Sequence, residues 1–175
     1  MHFSSYISPI GHMLLVTSDR GLRFIDFDYQ KKKLGAAHAN AEFAESDSAL
    51  ADVRHELDEY FAGRLRDFTV PLDLRGTDFQ LRCWNALLEI PYGKTCSYAD
   101  LARKVGSPRG FRAVGMANHD NPIPIIVPCH RVITSDHKLG GYGGGLDVKE
   151  KLLRLEGAVW REPHPGLAFP TAAPR

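Results

Sequence analysis

Near the start of the chain the apolar residues come in two short blocks, "MLLVTS" and "LRFIDF", separated by "DRG". Blocks of this length around such a tripeptide predict a β-hairpin, with Gly21 free to take a positive φ. The spacing then changes, and Leu50, Val53, Leu57, Tyr60 and Phe61 recur at helical intervals. Asp47 or Ser48 can cap that helix and Gly63 can end it. "DFTVPLDL" predicts one more short strand, and "RGT" near residue 76 marks a junction. Beyond it the pattern is mostly helical. Thr77 and Gln80 form a capping-box pair, opening a helix with Phe79, Cys83, Trp84 and Leu87 on one face, which makes Cys83 a core residue. After the turn "IPYGK", Ser97 and Asp100 give a second capping signal for a helix over 98–105, closed by Gly106. Ser107, with Pro108 at the first helical position, starts another that runs to about residue 118. Two short helices joined by a glycine-containing turn predict a helix-turn-helix. A last helix over 147–156 buries Val148, Leu152 and Leu155 and stops at Gly157. The pattern predicts an α+β protein: a small N-terminal strand/helix domain over 1–76, a mostly helical C-terminal domain over 77–160 containing the helix-turn-helix, and a tail over 161–175.

Composition narrows the class. With 43% hydrophobic and 25% charged residues, the 175-residue chain can bury a core without disulfide or metal staples. It has no apolar run of membrane-spanning length and no signal-peptide pattern at its start, so a cytoplasmic location is expected. Three widely spaced cysteines give no disulfide framework, and eight scattered histidines give no zinc spacing, so neither metal nor cofactor is expected. The net charge of +1 hides an asymmetry: residues 1–80 carry 9 Lys/Arg against 13 Asp/Glu, and residues 81–175 carry 13 against 8. Arg103, Lys104, Arg109 and Arg112 fall in a stretch, 101–119, that contains no acidic residue. That is the footprint of a surface for a polyanion, with a plain solvated basic face as the equally weighted alternative.

Three local features call for chemistry. The predicted second helix of the helix-turn-helix, "RGFRAVGMAN", has little bulk because of Gly110, Ala113, Gly115 and Ala117. Interior glycines destabilise a helix by roughly 0.5–1 kcal/mol each relative to alanine, which implies close approach either to another backbone or to a ligand. Cys129 and His130 stand side by side in "IVPCHRVI". Glu156 sits at a helix C-terminus, where the dipole favours a cation instead. A thiol nucleophile needs a base, and the base needs an orienting group; Cys129, His130 and Glu156 supply the three types. Neighbouring side chains in extended chain point apart, so a bridging water is expected between Cys129 and His130. The relay is expected to hold the Cys129 thiolate below the free-thiol value of roughly 8.5. The glycine-rich "LGGYGGGL" lacks the phosphate-loop pattern, which excludes a nucleoside triphosphate site.

"PCHRVI", together with "IPYGKTCSYADLA", "RAVGMANHDNP" and "GYGGGLDVKEKLLRLEG" in that order, resembles the 6-O-alkylguanine-DNA alkyltransferases over residues 77–157. Residues 1–75 resemble that family's variable N-terminal domain only loosely, and the last 18 residues carry no motif. The resemblance implies single-turnover repair of double-stranded DNA, with an alkyl group passing from 6-O-alkylguanine, and from 4-O-alkylthymine as a further candidate, to Cys129. It implies that His130, oriented by Glu156, withdraws the thiol proton and that Tyr98 donates to the leaving guanine. Asn121 would tie the small-residue helix to the Pro-Cys-His segment. That helix, with Ala113 and Gly115, would lie in the minor groove while Arg112 fills the gap left by a flipped base, and Arg109 and Ser97 would also contact DNA. Val132, Tyr142, Gly143, Gly144 and Lys149 would line the pocket, with Lys149 alternatively a plain surface lysine. A monomer is expected, Cys96 is expected to be inert, and Asn118 and His119 receive no role. A bifunctional relative with a four-cysteine zinc domain is excluded by the three cysteines. Two other classes remain open: a catalytically silent lesion-binding or DNA-binding regulator, and a thiol hydrolase.

Overall fold

The computed structural model describes residues 1–27 and 42–161. All but the first residue of the predicted tail lies outside them. The hairpin forms as β2 (Gly11–Ser18) and β3 (Gly21–Asp26), antiparallel, with a register shift between Val16 and Thr17. A strand without a sequence signal precedes it: β1 (His2–Ser8) pairs antiparallel with β2. Its buried face carries Ser4 beside Tyr6, so the alternation does not read as apolar; Ser4 Oγ donates to Asp47 and accepts from Arg54. A two-residue β4 (Ala44–Glu45) runs parallel to β1, giving the order β3-β2-β1-β4.

The first helix differs at its start. A 3-10 turn, Ser48–Leu50, leads into α1 (Ala51–Phe61), and neither Asp47 nor Ser48 caps it through its side chain. Asp47 is taken by Ser4 and Arg54, and Ser46 Oγ accepts the Ala49 N–H instead. The strand predicted in "DFTVPLDL" is absent except for a single bridge, Leu22 to Leu72. Pro71 has no N–H for a ladder, and what remains is a two-bond clasp: Leu22 N donates to Pro71 O and Asp73 N to Leu22 O, both at 2.8 Å. That clasp fits against Gly21, whose φ is +139° and where a Cβ would come within 2.4 Å of Pro71 O. Gly21→Ala therefore adds backbone strain and a backbone clash together. It should destabilise the protein by about 1–3 kcal/mol, read as a lower urea midpoint at unchanged slope.

In the second half, α2 (Asp78–Leu88) and α3 (Tyr98–Lys104) begin with the predicted Thr77/Gln80 and Ser97/Asp100 capping boxes. The helix following α3 starts later than predicted. Residues 107–110 form a turn closed by Gly110 N to Ser107 O at 2.7 Å, and α4 is Phe111–His119. Pro108 thus lies in the turn, and Gly110 precedes the helix, against a Ser107 side chain that leaves no room for a Cβ. Trp84 Nε1 donates to Ala117 O at 2.8 Å and ties α2 to α4. The last helix, α5 (Leu146–Leu155), buries Val148, Lys149, Leu152 and Leu153, while Leu155 is half-buried. A short parallel pair, β5 (Cys96–Ser97) with β6 (Val132–Ile133), sets the active segment beside α3. One buried cluster runs through both halves, from Met13 and Leu57 to Trp84, Val127 and Leu152. Among the described residues no helix is long and apolar enough to cross a membrane.

Candidate functional site

The Pro-Cys-His segment is placed by the Asn121 side chain. Asn121 Oδ1 accepts the Ile123 N–H at 3.0 Å and its Nδ2 donates to Val127 O at 2.7 Å, folding 121–127 back on itself. Ile125 takes φ +76° inside this bend, unusual for a β-branched residue and sustained by complete burial. The bend delivers Cys129 at the start of a 3-10 turn, Cys129–Arg131, with Asn121 Nδ2 also 3.1 Å from Cys129 Sγ.

The thiol forms part of a cavity of about 770 Å³ that also takes in Tyr98, Arg112, Gly115, Tyr142 and Gly143. Gly144 lies instead on a smaller recess of about 240 Å³ that reaches Cys129 from the β3 side, where Phe27 packs on Tyr142. A Cβ at Gly144 would strike both of those rings at 2.9 Å. Val132 and Lys149 are fully buried behind the cavity wall and do not line it. Lys149 Nζ donates to Val132 O, Leu139 O and Gly141 O, so it pins the loop carrying Tyr142, and burial pulls its pKa down to about 8. It is no surface lysine.

The outer wall is α4. A Cβ on Gly115 would meet nothing within 4 Å, so no neighbouring backbone among the described residues requires the glycine. Of the two explanations for the small residues, approach of an external ligand is the one this geometry favours. Ala113 is exposed on the same helix, and Arg109 is exposed in the preceding turn. Ser97 is committed to its cap on α3 and lies outside the main cavity. Phe111 and Met116, 52% and 61% exposed, border the cavity together with Asn118 and His119. The two exposed apolar side chains were visible in the sequence, but no pattern there separates them from core positions.

Behind Cys129 lies a buried polar cluster. Glu156, at the C-cap of α5, turns its carboxylate inward. Oε1 accepts from His130 Nε2 at 2.9 Å, Arg131 Nη2 at 2.9 Å and Tyr60 Oη at 2.7 Å. Oε2 accepts from Arg131 Nε at 2.9 Å and Gly93 N at 3.1 Å. This answers why an acid occupies a helix C-terminus: it neutralises a buried arginine. Burial pushes the Glu156 carboxyl up, but the bonds and charges from His130 and Arg131 outweigh it and hold it well below the usual carboxylate range. His130, fully buried, is pushed below its ordinary value by burial, against the pull of Glu156. A neutral imidazole bonded to a carboxylate through Nε2 carries its proton there, which leaves Nδ1 as the basic nitrogen. Nδ1 is buried and has no hydrogen-bond partner among the described residues.

The thiol corrects an expectation. Burial pushes Cys129 above its ordinary value, more than Asn121 and Lys149 pull it down, so the resting group is a neutral thiol and not a preformed thiolate. Burial likewise raises Tyr98, with a further contribution from Cys129, which keeps the Tyr98 hydroxyl protonated; it donates to Gly141 O at 3.3 Å. Tyr60, Gly93 and Arg131 were not singled out from the sequence. Arg131 adjoins the Cys-His pair and was within reach of inspection, whereas Tyr60 lies 96 positions from Glu156 and reads only as one apolar position of an amphipathic helix.

Residues 78–158 match the DNA binding domain of 6-O-methylguanine DNA methyltransferase, and residues 1–74 match the ribonuclease-like domain of the same family. Methylated-DNA–protein-cysteine methyltransferases of Methanosarcina acetivorans and Mycobacterium leprae are similar at 46% and 48% identity, over 90% and 89% of this chain and 99% and 92% of theirs. A crystal structure of Mycobacterium tuberculosis OGT in complex with DNA superposes with a TM-score of 0.81 at 45% identity, covering 90% of this chain and 93% of that one. The two domain matches and these near full-length relatives show that the chain belongs to the 6-O-methylguanine DNA methyltransferase family.

Proposed function

We propose that the protein repairs alkylated DNA by direct reversal, moving the alkyl group of a 6-O-alkylguanine to Cys129 in one irreversible turnover. The observation that carries this reading is the placement of a buried thiol on an apolar cavity whose outer wall is the small-residue helix of a helix-turn-helix. A base inside a duplex cannot reach that thiol, so the nucleotide is flipped into the cavity while α4 lies along the minor groove. Residues 77–160 carry this chemistry; residues 1–76 support it, and the reaction proceeds in the cytoplasm on a monomer without cofactor.

The chemistry follows from the protonation states. The Cys129 proton passes through a bridging water to His130 Nδ1, and Glu156 stabilises the imidazolium that results. The Cys129 sulfur attacks the alkyl carbon, the S–C bond forms, and the bond from carbon to the guanine 6-oxygen breaks. Its electron pair enters the guanine ring, which takes a proton from the Tyr98 hydroxyl, and the proton held on His130 then returns through water to the Tyr98 phenolate, so that the net change is one proton passed from Cys129 to guanine. Val132 and Lys149 act behind the pocket, holding the loop that carries Tyr142.

A thioether has no good leaving group, so one protein repairs one lesion. Intact mass after incubation with duplex DNA containing 6-O-methylguanine should rise by a single methyl group, mapping to the peptide that contains Cys129. Repeated turnover by one molecule would point to a hydrolase instead, and binding without any mass change to a silent lesion-binding protein.

A further inference from the structure

We infer that Tyr60, on α1 of the N-terminal half, is a positioning residue of the transfer reaction: its hydroxyl occupies the same Glu156 oxygen that receives His130 Nε2–H and so sets how strongly Glu156 draws positive charge onto the imidazole. The inference rests on the reading of Cys129 and His130 given above and adds a residue that this reading does not contain.

The geometry is direct. Tyr60 Oη donates to Glu156 Oε1 at 2.7 Å, and His130 Nε2 bonds the same oxygen at 2.9 Å. All three side chains are almost completely buried, so water cannot replace a lost donor cheaply. The Tyr60 ring cannot swing away, because Phe61, Phe68 and Tyr92 pack around it with centroids 5.3, 5.2 and 6.1 Å distant. Burial, reinforced by the Glu156 charge, holds the Tyr60 hydroxyl in its protonated, donating form. If packing alone were at stake, phenylalanine would serve at this position; the hydroxyl is explained by its acceptor.

Two donors on one carboxylate oxygen compete for the same negative charge. Tyr60 withdraws part of it, and His130 is left with a weaker partner and a weaker tendency to protonate. The other groups acting on His130 are fixed. Arg131, its chain neighbour, and Lys149, from α5, both disfavour a second cation, while Cys129 contributes a neutral thiol. Tyr92, from the loop after α2, interacts with Glu156 and faces the Arg131 guanidinium. Of the groups on Glu156, Tyr60 is the one supplied by the N-terminal half; the arrangement therefore couples the docking of that half to the basicity of the histidine.

The test follows His130 by its ring-proton resonances in a pH titration, alongside the single-turnover rate of methyl transfer from duplex DNA as a function of pH. Tyr60→Phe removes the competing donor, so the His130 midpoint and the acid limb of the rate profile should both move up by about half to one pH unit, the size expected for one redistributed charged hydrogen bond. Incorporation of 3-fluorotyrosine at position 60 strengthens the donor and should move both midpoints down. Phe61→Leu, which loosens the packing around Tyr60 without touching Glu156, should lower the melting temperature and leave the midpoints in place. A purely structural Tyr60 would not produce shifts of opposite sign. Coincident His130 midpoints in the parent and Tyr60→Phe, or an equal shift in Phe61→Leu, would overturn the inference. If Tyr60→Phe does not fold, the fluorotyrosine protein decides, and an unmoved midpoint there overturns it. Should the parent transfer no methyl group to Cys129, the functional reading fails, while the His130 titration still tests the role of Tyr60.

Discussion

Replacing Glu156 by glutamine is expected to slow single-turnover alkyl transfer by about 10²-fold or more, the span of a lost general-base step, and to lower the stability of the fold in the same protein. Both effects arise from one fact: the carboxylate accepts from His130, Arg131, Tyr60 and the Gly93 N–H. A carboxamide has one oxygen, and its NH2 would face donors where an acceptor is required. The Arg131 guanidinium would then be a buried cation with no counter-charge, a situation that costs about 3–5 kcal/mol. The pH dependence has a definite sign. Glu156 titrates lower in the folded protein than in the unfolded chain, where a glutamate has a pKa near roughly 4.3. Its stabilisation is therefore complete above that unfolded value and is lost as pH falls toward the folded one. The parent should lose this increment on acidification and Glu156→Gln should not, since the variant has nothing at this position to titrate. DNA affinity should change little, because Glu156 is buried behind Cys129 and away from the exposed face of α4. Rates normalised to the folded fraction separate the two effects. A variant that transfers methyl groups at the parental rate between about pH 6 and 8, astride the free histidine value, would show that the relay does not run through Glu156.

The elements legible in the sequence are those whose signals are local. The capping boxes at Thr77/Gln80 and Ser97/Asp100 are four-residue patterns, and both close as expected. The β2–β3 hairpin is specified by a turn glycine between two apolar blocks. Misreadings occur where a distant residue decides the outcome. Asp47 is a good capping residue on its own, but Ser4, brought alongside by β1, and Arg54, from the helix itself, claim its side chain. The exception is local: Pro108 suits the first turn of a helix, yet the turn closed by Gly110 N to Ser107 O delays the helix to Phe111. The stretch around Pro71 has strand composition, and only the fit of Gly21 against it determines that it forms a clasp instead.

The site follows the same rule. His130 and Glu156, two of the three residue types singled out for a relay, are hydrogen-bonded to each other, with His130 directly behind Cys129 in the chain. Arg131 and Tyr60, which complete the cluster around the carboxylate, come from the chain next to Cys129 and from the opposite half. The Glu156–His130 relay leads to the expectation of an acidified thiol; burial, which no local pattern records, has the larger effect and reverses the direction. Lys149, a pocket candidate with a plain surface lysine as the alternative, is neither, and three backbone carbonyls that no local pattern connects are what make its burial tolerable.

Arg112→Ala should slow repair of 6-O-alkylguanine in duplex DNA by at least about tenfold, while reaction with a free base such as 6-O-benzylguanine changes little, provided that base fits the cavity. Arg112 is exposed at the second position of α4, borders the cavity, and has no hydrogen-bond or ion-pair partner among the described residues. Its side chain thus costs nothing to redeploy when a ligand arrives. Bringing a base from the stack to Cys129 requires a few kcal/mol of unstacking and unpairing. A long cation entering the vacated space recovers part of that and pairs with the flanking phosphates. A free base has already left the stack, so the same side chain has nothing to offset. The decisive quantity is the ratio of the two rate losses, since a change in overall folding or in Cys129 reactivity would affect both substrates alike. A single-stranded oligonucleotide carrying the lesion should give an intermediate loss, because its base is unpaired but still partly stacked. Equal losses on duplex and free base would mean that Arg112 maintains the cavity, and insertion into the duplex would have to be assigned to another residue on α4, with Phe111 and Met116, both exposed there, as the next to test.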